Sequence, residues 1–209
     1  MPLLNPGFSR IVLASQSPRR IELLKIIIPE FEIKASDITE NNYVITVPWQ
    51  LVEKLSYQKA ENVARQIPDG IIIGADSVVV MNGKTLGKPK NHLDSYNMLN
   101  LLSDKVHQVY TGFTIIKKPQ HIVISDHEVT QVKFRKLESW EIKKYIESGQ
   151  PCDKAGSYGI QDDGAVFVES ITGCYYNVMG LPITKVFLVL KKLLERKEKI
   201  ERRRFNKIW

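Results

Sequence analysis

At 209 residues with 43% hydrophobic content, the chain is long enough for one substantial core or for two small lobes sharing a cleft, and no apolar run reaches the roughly 20 residues a membrane-spanning helix needs. Its formal net charge is +7, but the stretch from Lys191 to Trp209 holds nine Lys/Arg against three Glu and so carries +6 of it. The remaining body is nearly neutral, which argues against a nucleic-acid groove in the folded domain.

The N-terminal Met-Pro-Leu-Leu-Asn-Pro-Gly lacks the basic and apolar regions of a signal peptide, and a cytoplasmic location without membrane association is expected. Arg10 to Ala14 reads as a short buried strand. Ser17 then stands as N-cap and Pro18 as the first residue of a helix whose Ile21, Leu24, Ile27 and Ile28 share a face. Phe31 to Ala35 alternates like a strand, and Pro48 to Gln66 has the spacing of a helix. Residues 71–80 form an apolar run broken only at Asp76 and Ser77, closed by the hairpin signal Asn82-Gly83. A helix over 93–102 follows, then strands over 107–117 and 121–134 joined through Pro119, a helix over 138–147, a glycine-rich passage over 153–164 and a strand over 165–171. A long helix from Pro182 ends the order. This irregular alternation predicts a mixed α/β sheet rather than a doubly wound one. Residues 1–190 are read as one domain and 191–209 as a basic helical extension, whose Arg202-Arg203-Arg204 run suits at most weak contact with polyanions.

Three groups of residues carry chemistry. In Leu13-Ala-Ser-Gln-Ser-Pro-Arg-Arg20 a strand hands over to a helix. Backbone N–H groups, the hydroxyls of Ser15 and Ser17 and the guanidinium groups of Arg19 and Arg20 would converge there on a phosphate, unless the segment is simply a helix start with two exposed arginines. Asp76 is a carboxylate inside an otherwise buried run. It requires a metal, a cation or a wet cleft, or else it caps a neighbouring turn. Lys59, Lys88 and Glu40 read singly as surface charges, but together with Asp76 they would serve a triphosphate and its divalent cation. In Asp153-Lys-Ala-Gly-Ser-Tyr-Gly-Ile-Gln161, Gly156 and Gly159 permit tight turns or a close ligand. The Gln161 amide matches the donor and acceptor edge of uracil or thymine, and a purely structural loop is the other reading.

Cys152 and Cys174 make no C-x-x-C pair and the four histidines no H-E-x-x-H arrangement, so a zinc site built by the protein is not expected. P-loop, dinucleotide-fold and serine-hydrolase motifs are absent as well.

In combination, LASQSPRR (13–20), IGADSVV (73–79), LGKP (86–89), DKAGSYGIQ (153–161) and YYNVMGLP (175–182) resemble the Maf family of nucleoside triphosphate pyrophosphatases, in the family's order and across most of residues 10–190. The resemblance implies a fold similar to the inosine triphosphate pyrophosphatases, a mixed-sheet, two-lobed structure around a cleft, usually a homodimer. It implies a nucleoside triphosphate substrate and a Mg²⁺ or Mn²⁺ cofactor held by Asp76 and Glu40. Asp76 would be the catalytic proton acceptor, assisted by Lys88 and Glu40, with Ser15, Ser17, Arg20 and Lys59 around the phosphates. Family members acting on dTTP and UTP carry Arg, Thr and Gln where this chain has Arg19, Ser77 and Gln161. The 7-methyl-GTP branch carries Tyr, Gln and Glu at those positions. The chain departs from the pyrimidine pattern at Ser77, which lacks the methyl, and at Thr39, where many relatives have a second acid before Glu40. Competing expectations are a non-catalytic nucleotide-binding regulator of cell division, a 7-methyl-GTP-type enzyme, and a basic nucleic-acid binder acting through its tail.

Overall fold

The computed structural model describes Leu4, residues 9–38 and residues 47–205, with the backbone alone over 196–205. In chain order the elements are β1 (Ile11–Leu13), α1 (Pro18–Ile27), β2 (Glu32–Ile33), α2 (Pro48–Ala64), β3 (Gly70–Met81), β4 (Lys84–Leu86), α3 (His92–Leu102), β5 (Val106–Lys118), β6 (Ile122–Phe134), α4 (Ser139–Glu147), β7 (Val168–Thr172), α5 (Tyr175–Met179) and α6 (Ile183–Phe205). Three 3₁₀ turns lie between α4 and β7.

The seven strands form one mixed sheet in the order β2-β1-β3-β5-β6-β7, with β4 on β3. β2, β1 and β3 run parallel, while β3, β5, β6 and β7 are antiparallel neighbours. The long strands come from the β-branched runs, and the hairpin into β4 turns at Asn82 and Gly83, both with positive φ (51° and 72°), as a type I′ turn requires. Pro48 starts α2 and Pro18 starts α1, each in the first turn where a missing N–H costs nothing. Asn91 caps α3 by accepting from the Asp94 N–H at 2.8 Å, and Glu138 and Glu141 close a reciprocal capping box on α4. Ser17 takes the N-cap position of α1 as expected, but its side chain makes no cap hydrogen bond.

Two elements escaped the sequence pattern, β4 and α5, and the last strand begins at Val168 rather than 165. Residues 163–167 coil into a 3₁₀ turn because Asp162 Oδ1 accepts from the Gly164 N–H at 2.9 Å. α6 passes without a break from the body into the basic tail, and Leu193 and Leu194 still belong to the core. Among the described residues no helix is long and apolar enough to cross a membrane.

The main core fills the face of the sheet covered by α1, α3, α4 and α6 and includes Leu13, Leu24, Ile73, Phe113, Phe134 and Leu190. On the opposite face α2 lies directly on β3 and β5. Glycines permit that approach. A Cβ on Gly74 would sit 2.4 Å from the Ser56 carbonyl oxygen, and one on Gly112 would sit 2.4 Å from the Val52 carbonyl and 2.7 Å from the Glu53 nitrogen. Gly112→Ala therefore forces backbone against backbone and is expected to lower stability by about 1–3 kcal/mol. Differential scanning calorimetry reads this as a fall in Tm, and an unchanged Tm would show that α2 is not seated as described.

Candidate active site

Two strands share one edge of β3. β1 pairs with it only as far as Ile73, and β4 only from Val79. The stretch between them, which carries Asp76 and Ser77, opens into a cleft of about 700 Å³. The walls come from the α1 start, the inner side of α2, the Gly87–Lys88 turn, the 153–161 segment and the end of α5. Ser15, Ser17, Arg19, Arg20, Lys59, Asp76, Ser77, Lys88 and Gln161, scattered over almost 150 residues of sequence, all line this one cleft. Glu40 and Thr39 lie outside the described residues.

Asp76 is buried, 7% exposed, and its Oδ1 accepts from the Lys59 ammonium at 2.5 Å. The close seating of α2 brings that lysine over the strand. Arg20 is held from three sides: its Nε donates to the Gly180 carbonyl at 2.9 Å, Nη2 to Ser77 Oγ at 3.2 Å and Nη1 to Ser15 Oγ at 3.4 Å. Ser15 Oγ also accepts from the Ser17 N–H at 3.2 Å. Hydroxyls, backbone donors and a fixed guanidinium thus meet at the start of α1, a combination that attracts phosphate oxygens. Lys88 is exposed at the cleft's rim, and its turn is tied down where the Gly156 N–H donates to the Gly87 carbonyl at 3.0 Å.

Several partners were not foreseen from sequence. Arg19 donates to the Asp153 carboxylate at 2.9 Å and to its carbonyl at 3.4 Å. Burial alone would raise the Asp153 pKa, but hydrogen bonds from Lys154 and Arg19 outweigh it and hold the carboxyl below its ordinary value. Tyr158, in the cleft wall, meets His107 Nε2 at 2.8 Å. Burial lowers the His107 pKa to about 4 and raises that of the Tyr158 hydroxyl, so both are neutral at pH 7. The Tyr145 hydroxyl donates to Asp162 and accepts from the Gly159 N–H, which steadies the turn before Gln161. Gln161 lines the cleft, and its Oε1 is buried without a hydrogen-bond partner among the described residues.

The oxygen donors at hand, the Asp76 carboxylate and the Ser15 hydroxyl, suit a hard divalent cation shared with phosphate oxygens and do not suit a soft-metal site. A separate cluster of Glu53, Asp126 and His127 brings ligand atoms within 4.8 Å of one another. Its groups are already engaged: His127 Nδ1 lies 2.6 Å from Glu53 Oε1, Asp126 Oδ1 accepts from the His127 N–H at 2.7 Å, and the Lys185 ammonium stands 3.3 Å from Asp126 Oδ2. None of the three lines the cleft.

A family model described as Maf-like protein matches residues 10–193. A dTTP/UTP pyrophosphatase of Carboxydothermus hydrogenoformans is 50% identical over 183 residues, covering 88% of this chain and 98% of that protein. One from Alkaliphilus metalliredigens is 49% identical, covering 88% and 95%, and one from Ruminiclostridium cellulolyticum is 48% identical, covering 89% and 97%. Among solved structures, the Staphylococcus aureus Ham1 protein aligns with a TM-score of 0.42 at 18% identity, over 60% of this chain and 72% of that one. With the family model spanning nearly the whole described body and identity near one half along the full length of these relatives, the chain belongs to the Maf-like protein family.

Proposed function

We propose that this protein hydrolyses dTTP and UTP to the nucleoside monophosphate and pyrophosphate. The observation that carries the reading is the meeting, in one cleft, of the Arg20–Ser15 corner at the start of α1 with the buried Asp76–Lys59 pair. The names of the relatives, dTTP/UTP pyrophosphatases, point the same way. Arg20, Ser15, Ser17 and Lys59 hold the triphosphate oxygens. Asp76 takes the proton of the water that attacks the α-phosphorus, and Lys88 approaches from the rim to the charge that develops on the departing pyrophosphate. A divalent cation, Mg²⁺ or Mn²⁺, would be held by Asp76 and, as the family resemblance implies, by Glu40, and would supply charge neutralisation at the phosphates. Arg19, Ser77 and Gln161 read the base from the cleft wall, Ser77 and the Gln161 amide together facing the donor and acceptor edge that uracil and thymine present. The homodimer and cytoplasmic location implied by the family resemblance belong to the same proposal, as does the division into a 1–190 domain and a basic extension.

Pyrophosphate release from UTP, dTTP, CTP, GTP, ITP and 7-methyl-GTP, measured on the purified chain with Mg²⁺ or Mn²⁺, tests this directly. UTP and dTTP are expected to have the highest kcat/KM, by about 5- to 150-fold over bases that leave a buried polar group unpaired. A purine nucleotide in first place would overturn the pyrimidine assignment. No turnover of any triphosphate would leave a nucleotide-binding regulator.

A further inference from the structure

Thr111 does not line the cleft, yet its hydroxyl decides what Ser77 can offer there. It sits on β5 directly across the ladder from Ser77 and is fully buried. Its Oγ1 donates to the Asn177 carbonyl at 2.9 Å and lies 2.8 Å from Ser77 Oγ. A hydroxyl has one proton. With that proton on the Asn177 carbonyl, Thr111 accepts from Ser77, and Ser77 is left with lone pairs only. One of these receives the Arg20 Nη2–H at 3.2 Å.

The same residue ties in the second support of Arg20. Asn177 is fully buried in α5, where its Nδ2 donates to the Val109 carbonyl at 3.0 Å and to Thr130 Oγ1 at 2.9 Å. Gly180 caps the end of α5, and its carbonyl accepts from Arg20 Nε at 2.9 Å. The contacts close a ring through Ser77, Thr111, Asn177, Gly180 and Arg20. Thr111 is the member that joins the sheet side of the ring to the helix side.

We infer that Thr111 is a positioning residue for base recognition, one that fixes Ser77 as an acceptor-only group and steadies the Arg20 guanidinium beside it. The inference rests on the pyrimidine-nucleotide reading above. An acceptor-only Ser77 favours the N3–H of uracil or thymine and opposes cytosine, whose N3 is itself an acceptor. Removing the Thr111 hydroxyl while keeping its shape frees the Ser77 proton to meet that cytosine nitrogen.

The test compares wild type, Thr111→Val and Thr111→Ser by the ratio of kcat/KM for UTP over CTP, with Tm as a control. Thr111→Val is expected to lower the ratio about fivefold or more, and Thr111→Ser to restore it to within about twofold. A purely structural Thr111 would change Tm or the active fraction and leave the ratio alone. A wild-type ratio in Thr111→Val, or a Thr111→Ser protein as altered as Thr111→Val, overturns the inference. Thr111→Ala is the second hydroxyl-free variant should Thr111→Val not fold. If wild type turns over no nucleotide, the pyrophosphatase reading fails by itself. The same ratio is then taken from the Kd values of α,β-imido-UTP and α,β-imido-CTP, with the same expected shift and the same overturning results.

Discussion

Asp76→Asn is expected to lower kcat for UTP by roughly 10²–10⁴-fold, the usual cost of losing a central acid–base group, with a fall in Tm smaller than that of Lys59→Met but measurable, because the Lys59 ammonium loses its counter-ion. The amide is nearly the same size as the carboxylate, and its oxygen still faces the Lys59 ammonium, so the sheet and α2 keep their contact. What disappears is the group that accepts a proton, together with one negative oxygen donor for a hard cation. Single-turnover kinetics on UTP with saturating Mg²⁺ or Mn²⁺ measures the loss in the chemical step. A variant with wild-type kcat would remove Asp76 from the mechanism. A large rise in KM with kcat unchanged would make it a binding group only.

The parts of the fold readable in the sequence were those longer than a structural period. β3, β5 and β6, each at least 12 residues long, show as apolar, β-branched runs. Asn82-Gly83 announced its turn because both residues tolerate positive φ. β4 and α5, with 3 and 5 residues, are too short for any periodicity to declare itself. The start of β7 moved because Asp162 caps a 3₁₀ turn, a local hydrogen bond that hydrophobic alternation does not register.

At the site, residues standing at breaks in a pattern were legible. Asp76 interrupts a buried run, and Ser15 and Arg20 flank a strand-to-helix turn. Their supports were not legible, because each depends on a contact made only when distant segments meet. Asp153 reaches Arg19 across 134 residues, and Thr111 reaches Ser77 across 34. The two close-approach glycines of the sheet, Gly74 and Gly112, are likewise ordinary in sequence and acquire meaning only beneath α2.

Lys59→Met is expected to destabilise the protein by about 3–5 kcal/mol and to abolish most turnover, the larger stability effect belonging to the lysine rather than to its partner. The side chains of Lys59 and Asp76 are 14% and 10% exposed, so each ion depends on the other for what water would otherwise supply. Methionine fills the lysine's space but leaves an ionised carboxylate facing a thioether, and breaking one side of a buried pair costs more than the pair itself contributes. For a chain of this size the loss corresponds to a Tm lower by roughly 2–4 °C per kcal/mol. Adding Asp76→Asn to Lys59→Met removes the stranded charge, so the double variant is expected to recover part of the stability while remaining inactive. Urea unfolding of the two single variants and the double gives the coupling energy, expected at about 0.5–3 kcal/mol in favour of the double. Strict additivity would mean that the two groups do not interact, and with it would go the ion pair on which the catalytic geometry is built.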